Sequence, residues 1–579
     1  MTPRRRIWLD KLIEESELPT ELSGLVRDIV QRTHLWRGEK ADVAAELISH
    51  FRDGLEFGRT SEDLARLFGD AKQAARLIRR ARKRQRRLPW RIVHRGLQAT
   101  AVVFGLYLLG IVYFMLGQPD PKVDYVALLN VKSAAVPEHE RAWPMYRAAL
   151  LALGEPLMHN SPRPGEDDWD EVGSYLRKHV DVFADVRRAA ARPDLGFVIG
   201  FERDEQDFEL WPDLVPTMKD GPLDYSLFAI LLPHLAEMRR LARLLALDAH
   251  RAAAESDIDT ALADIEAMLG IASHVREAPI LINDLVGNAV ASLAMDTNGE
   301  LLATYPDAFD DDQLRHLAHR LSVIEPLFGV RFDGERFGWR DLVQRIYTDD
   351  GDGDGRLTTR GVTAMEYLVT FPGTTMSPRK GGTAIVAGPL LLATVMSRRE
   401  ALELHERLLV QYEVAAERPM WEWGSGPGFE ADNQIAKWKS SKLDSVRYFP
   451  LVQLMPGLSH AARVKKYGLA RRDALLVAIA LELDRRRRGT WASNLDDLVP
   501  DLLPTVPLDQ FNGRPIRYAL VDGTPVVYSV GNDRDDDGGR RYELGGSAWS
   551  NSAGVWTVDT NATNVVDADW VLWPPGRDK

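Results

Sequence analysis

The 579-residue chain contains no cysteine. Disulfides, thiolate metal sites and cysteine nucleophiles are thereby excluded. The absence does not name a compartment, because many envelope proteins fold without disulfides. Familiar catalytic signatures are missing too: there is no HExxH, no G-x-S-x-G and no P-loop. Carboxylates are abundant, but nothing singles out an acid/base pair. The composition is otherwise that of folded protein, 45% hydrophobic and 27% charged. On length alone, roughly three or four domains are expected.

The net charge of −12 is divided unevenly. Met1 to Arg95 holds 22 lysines and arginines against 14 acidic residues, and the remainder holds 51 against 71. A basic head and an acidic body suit different electrostatic surroundings.

Between them lies GLQATAVVFGLYLLGIVYFMLG, Gly96 to Gly117, without a charged residue. As a helix it would span about 33 Å, against a hydrocarbon core of about 30 Å. The preceding stretch from Arg76 to Arg95 carries ten basic residues and no acid. The positive-inside rule then places the N-terminus in the cytoplasm and the acidic body outside. Trp90 and Tyr113 sit near the two expected interfaces. A cleaved signal peptide fits poorly, because the run starts late, is long and lacks a small-residue cleavage site. An uncleaved signal anchor, at 96–117, is the expectation. A second apolar stretch, Thr383 to Met396, is short and interrupted by Pro389. That length suits a buried core helix better than a crossing.

Residues 1–88 are expected to form a cytoplasmic helical module. Val43, Leu47, Phe51 and Leu55 follow helical spacing. Gly58 is placed at a helix C-terminus, and Thr60 and Asp70 at N-caps. The stretch AELISHFRDGLEFGRTSEDLARLFGDAKQAARLI resembles the HAAS-type and permease-prefix helical modules. The shared pattern falls on Glu46, Leu47, His50, Gly58, Thr60, Glu62, Phe68, Gly69, Asp70, Ala74 and Ala75. The resemblance implies a cytoplasmic interaction module with a protein partner. Arg79, Arg80, Arg82, Lys83, Arg84, Arg86 and Arg87, continuing into a juxtamembrane segment at 89–95, are assigned to the anionic membrane surface. No nucleic-acid reader accompanies them, so no nucleic-acid partner is expected. His50 is read as a packing residue.

The body from 123 to 465 reads as an irregular helical-hairpin domain. Trp169–Ala191, Leu223–Ala254, Ile258–Glu277 and Arg398–Ala416 have helical periodicity. Ser256 and Asp257 mark the turn of an αα-hairpin, but no fixed repeat period emerges. His316 and His319 are three apart on a helix without an accompanying carboxylate, and read as a solvated face. Trp421 and Trp423 lie in a loop and read as core caps.

Two acidic loops remain. Asp350, Asp352 and Asp354 fit positions 1, 3 and 5 of an EF-hand-like loop, with Gly355 at the turn position. Alternate placement lets three carboxylates converge on a hard cation such as calcium. Position 12, however, is Gly361. Asp533, Asp535 and Asp537 repeat the pattern after the strand-like VVYSV, with Leu544 at position 12.

Residues 466–579 resemble the C-terminal part of major type II secretion pseudopilins. A long helix leads into Trp491, Leu495 and Leu498. Pro507, Asp509, Phe511, Gly513, Pro515, Ile516 and Tyr518 follow, then the second acidic loop and D-W-V-L-W-P. The resemblance implies a small antiparallel sheet and calcium in that loop. The chain departs from pseudopilins in carrying some 350 residues between membrane helix and module.

The expected fold class is therefore mainly α, with a small C-terminal antiparallel α+β module. The expected function is a non-enzymatic, membrane-anchored envelope protein with a calcium-stabilised outer binding domain. An accessory part of a secretion or pilus-like system, and an outer hydrolase with an unrecognised site, are the alternatives.

Overall fold

The computed structural model describes residues 7–85, 88–154, 162–200, 205–212, 226–370, 382–423, 430–455, 458–531, 533–539, 549–550, 557–558 and 569–575. The chain is mainly helical and divides into two compact units, Met1–Leu109 and Gly110–Lys579.

The first unit holds α1 (Ile7–Glu14), α2 (Thr20–Arg32), α3 (Arg37–Glu56), α4 (Ser61–Phe68) and α5 (Ala71–Gln85). The start of α6 (Leu88–Met115) also belongs to it. Apolar faces of α2 and α3 meet in a core of Leu22, Val26, Ile29, Val43, Leu47 and Phe51. Thr60 accepts the Asp63 N–H and starts α4, and Asp70 accepts the Lys72 N–H at the start of α5. Each cap satisfies a backbone donor that the helix itself cannot. Gly58, at φ +82°, lets the chain reverse after α3. The His50 ring packs beside Phe51 and Phe68, as a rim residue of this core.

The second unit begins with two short helices, α7 (Tyr125–Leu129) and α8 (Val131–Ala135). They lead to α9 (Trp143–Leu153), α10 (Trp169–Lys178) and α11 (Val180–Ala190). The single helix expected over Trp169–Ala191 is thus two. His179 leaves helical geometry at φ −112°, ψ 22°, and its ring nitrogen engages the Tyr175 carbonyl. Next come α12 (Pro233–Ala254), α13 (Ile258–Val275) and α14 (Leu281–Thr304). Of the helix expected over Leu223–Ala254, residues 223–225 lie outside the described residues, and α12 begins at Pro233. Proline lacks an N–H and pushes the residue before it out of the helical region, and Leu232 sits at φ −117°, ψ 60°. Ser256, at φ +64°, and Asp257, which caps α13 through the Thr260 N–H, form the expected hairpin turn.

These helices share one large core with α15 (Asp311–Val323), completed from later in the chain. Within it, Asp248 and Asp264 have no exposure. Arg187 bridges them, at 3.4 Å and 2.5 Å, and so ties α11 to α12 and α13. Burial and the neighbouring Asp248 push the Asp264 carboxyl well above its ordinary value, so the pair avoids two unpaired buried charges.

A second core is built by α16 (Asp333–Ile346), α17 (Thr359–Thr370) and two later helices at Arg398–Glu417 and Glu430–Ser440. α18 (Gly382–Thr394) precedes α19 (Arg398–Glu417), and α20 (Glu430–Ser440) is followed by α21 (Lys442–Arg447) and α22 (Phe449–Leu454). Trp339 stacks on His405 and donates to the Ala401 carbonyl. α18 departs from the buried core helix expected of it: Val386 and Leu390 are 58% and 62% exposed.

α23 (Leu458–Arg488) runs through both cores and ends beneath a sheet. β1 (Arg517–Val521) pairs antiparallel with β2 (Thr524–Ser529), Tyr518 opposite Val527. The turn, Asp522-Gly523, has both residues at positive φ, which matches the strand twist. A separate two-stranded ribbon joins β3 (Trp549–Ser550) to β4 (Thr557–Val558). β5 (Trp570–Trp573) pairs antiparallel with the far edge of β2, giving the order β1-β2-β5. The small antiparallel C-terminal sheet is thus present. Leu495, Leu498, Ile516 and Val527 close its core against α23.

Candidate metal centre

The C-terminal acidic loop is held at both ends by buried carboxylates. At its root, Asp509 accepts the Val530 N–H and the Ser529 hydroxyl. At its end, the Gly539 N–H donates to Asp569, which sits just before β5. Gly539 can have no side chain here, because a Cβ would lie 2.9 Å from the Tyr528 ring. Between these clamps the side chains alternate. Asp536 accepts from the Tyr528 hydroxyl and pairs with Arg517 at 3.3 Å. Asp533, Asp535 and Asp537 instead converge, with one oxygen from each within 4.8 Å of the others.

Three carboxylates this close repel one another. Asp537 Oδ2 and Asp569 Oδ1 are also buried without a hydrogen-bond donor among the described residues. A buried anionic oxygen left unsatisfied costs roughly 1–3 kcal/mol or more. Burial, with the like charges of Asp536 and Asp537, pushes the Asp569 carboxyl up to about 6 despite the Gly539 N–H. A hard divalent cation answers all three features. Calcium takes oxygen ligands at about 2.3–2.6 Å, so oxygens on opposite sides lie about 4.6–5.2 Å apart. The triad is within that span. Asp533, Asp535 and Asp537 would hold the ion, and Asp569 would add negative charge behind Asp537.

The first acidic loop has the same curl and a different electrostatic setting. Asp350 accepts the N–H groups of Asp352 and Asp354. Asp354 accepts from the Gly355 and Arg399 N–H groups. Asp349 pairs with Lys122 at 3.0 Å and Arg398 at 2.7 Å. Burial opposes ionisation of Asp354, yet these N–H groups and the Ser397 hydroxyl hold its carboxyl below the ordinary value. The Gly351 N–H, with Lys122 and Arg398, lowers Asp349 further. Gly355 is required because a Cβ would lie 1.9 Å from the Thr348 carbonyl oxygen. Among the described residues the structure gathers Asp533, Asp535 and Asp537 into a group that could hold a metal ion, and does not gather Asp350, Asp352 and Asp354 so.

Comparison of the chain with protein-family models, curated proteins and solved structures found no match.

The other sequence-predicted residues fall as follows. Arg79, Arg80, Arg82, Lys83 and Arg84 lie along α5, where Arg82 pairs with Glu46. Arg86, Arg87 and Leu544 lie outside the described residues. His316 and His319 are exposed, with His316 2.6 Å from Glu266. Trp423 packs on the core formed with Phe511 and Val530, and Trp421 lies against Gly513. Asp569 was missed by motif spacing, since it enters the site from β5, far along the chain. Its one sequence signal is an acid opening the apolar run D-W-V-L-W.

Proposed function

We propose that this chain is a single-pass membrane-anchored envelope protein, non-enzymatic, with a cytoplasmic interaction module and a calcium-stabilised outer binding domain. The observation that carries it is the segment Arg95–Met115 of α6. Its apolar 18-residue window has a mean hydropathy of 1.9, and only 6% of that window is buried. Val103, Phe104, Leu106 and Leu109 are each more than 60% exposed. A core helix would be covered by protein, whereas an apolar helix left open suits lipid. The basic run before it supports an N-terminus in the cytoplasm. The compact helical unit then faces a cytoplasmic protein partner, and the acidic unit faces the envelope. Calcium at Asp533, Asp535 and Asp537 would fix the C-terminal module for binding there.

The test is protease access in spheroplasts carrying the full chain with a tag at each end. The expected result is a carbonate-resistant protein whose C-terminal tag is digested and whose N-terminal tag is protected. Release by carbonate, or protection of the C-terminal tag, would overturn the reading. A second reading, an accessory component of a secretion or pilus-like system, draws on α23 packed beneath the three-stranded sheet. Co-purification with such a system would favour it.

A further inference from the structure

α18 has the sequence GTAIVAGPLLLAT, without a charged or amide side chain. Its 13 residues extend about 20 Å, well short of a bilayer core of about 30 Å. It is packed onto the end of the apolar helix α6. A Cβ on Gly110 would lie 3.1 Å from the Pro389 side chain, and one on Gly388 would lie 2.3 Å from the Phe114 ring. Phe114 is fully buried as a result. Glycines on each helix thus admit a bulky side chain of the other. Close approach through small residues is how helices associate where lipid removes the hydrophobic drive.

The height of this contact decides its surroundings. Gly110 lies five residues before Met115, the end of the apolar span. At about 1.5 Å per residue, Pro389 sits about 7–8 Å inside that end. Leu390, next in sequence, is 62% exposed at this level, and Val386 one turn earlier is 58% exposed. Pro389 frees a backbone carbonyl, which membrane helices tolerate when neighbours or hydroxyl groups compensate. Thr394, one turn on, donates its hydroxyl to the Leu390 carbonyl and so satisfies that hydroxyl within the helix.

The first acidic loop fastens this pair of helices. Arg356 donates to the Tyr113 carbonyl at 3.1 Å, a cation at the C-terminal end of α6, and its guanidinium lies 3.6 Å over the Tyr113 ring. The Arg398 N–H, at the start of the helix after α18, donates to the Gly355 carbonyl. One loop therefore holds both the exit of α6 and the chain that leaves α18.

We infer that α18 is a half-membrane element, inserted beside α6 into the hydrocarbon of the leaflet facing the large domain. This rests on the membrane-anchor reading. Insertion widens the single anchor into a two-helix foot and fixes the angle of the large domain to the bilayer. It also gives the 349–358 loop a role independent of calcium.

The chain has no native cysteine, so single-cysteine labelling is free of background. Leu390→Cys, Val103→Cys and Leu443→Cys would be made in the full chain. Each would carry an environment-sensitive fluorophore in phosphatidylcholine–phosphatidylglycerol vesicles. Val103 lies in the apolar span, and Leu443 is 80% exposed on the large domain. The expected result is blue-shifted emission at 390, quenched by nitroxide lipids and shielded from iodide as at 103. Position 443 should show the reverse. A label at 390 reached by iodide, or shielded from both quenchers by a second protein, overturns the insertion while position 103 still reports the anchor. A label at 103 open to iodide would instead sink the anchor reading itself.

Discussion

The two acidic loops share the pattern D-x-D-x-D-G or a close variant, and the structure treats them differently. In the first, backbone N–H groups, Lys122 and Arg398 already neutralise the carboxylates. In the second, Asp533, Asp535 and Asp537 face one another, and Asp569 adds a fourth acid from just before β5. The pattern supplies the curl. The groups brought in by the rest of the fold decide whether the charge is left for a cation. The first loop is a latch between helices, and the second leaves three carboxylates that could hold a cation.

The largest expected effect is calcium stabilisation of the second loop. At a free concentration of 100 times Kd, a single site adds about 2.7 kcal/mol to stability. A rise in Tm with calcium should therefore appear in the native chain, persist in Asp352→Ala and vanish in Asp537→Ala. Equal losses in both variants would erase the distinction between the loops.

Next in size, the loops should respond to pH with opposite signs. Asp569 is raised from 3.8 to about 6 in the folded state. The folded chain then binds more protons than the unfolded chain between those values. Calcium-free stability should fall as pH rises from about 4 to 6, and Asp569→Asn should flatten that fall. Asp354 is lowered, so its contribution is present above the ordinary carboxylate range and lost as pH falls through its own value. Thermal melts with chelator, run through this range for Asp569→Asn and on down below the ordinary carboxylate range for Asp354→Asn, would show either the two signs or their absence.

A smaller effect belongs to the latch. Asp354→Ala should cost roughly 1–2 kcal/mol, by freeing the Arg399 and Gly355 N–H groups. Calcium stoichiometry should not change. The smallest is Lys122→Met, which removes an exposed ion pair with Asp349 and should leave the melt unmoved. A clear loss there would show that the latch depends on its cations more than on its N–H donors.

Much of the architecture was legible because it depends on local signals. The apolar run at 96–117 is unbroken by charge, and the caps at Thr60 and Asp257 precede helical periodicity. The β1–β2 hairpin follows from Asp522-Gly523 between strand-like runs. Helix limits were harder to read. α23 starts at Leu458, before the expected module boundary at 466, since nothing in LSHAARVKK breaks a helix. The site was half legible: the acidic triad is contiguous in sequence, while Asp569 arrives through strand pairing. The buried Arg187, Asp248 and Asp264 cluster and the latch partners of the first loop join residues far apart in the chain. No local pattern encodes such meetings.

The most direct test of the contrast is calcium titration calorimetry on the full chain in lipid nanodiscs, with Asp352→Ala and Asp535→Ala alongside. One saturable site, kept in Asp352→Ala and lost in Asp535→Ala, is the predicted result. Two sites in the native chain, or binding that survives Asp535→Ala, would contradict it.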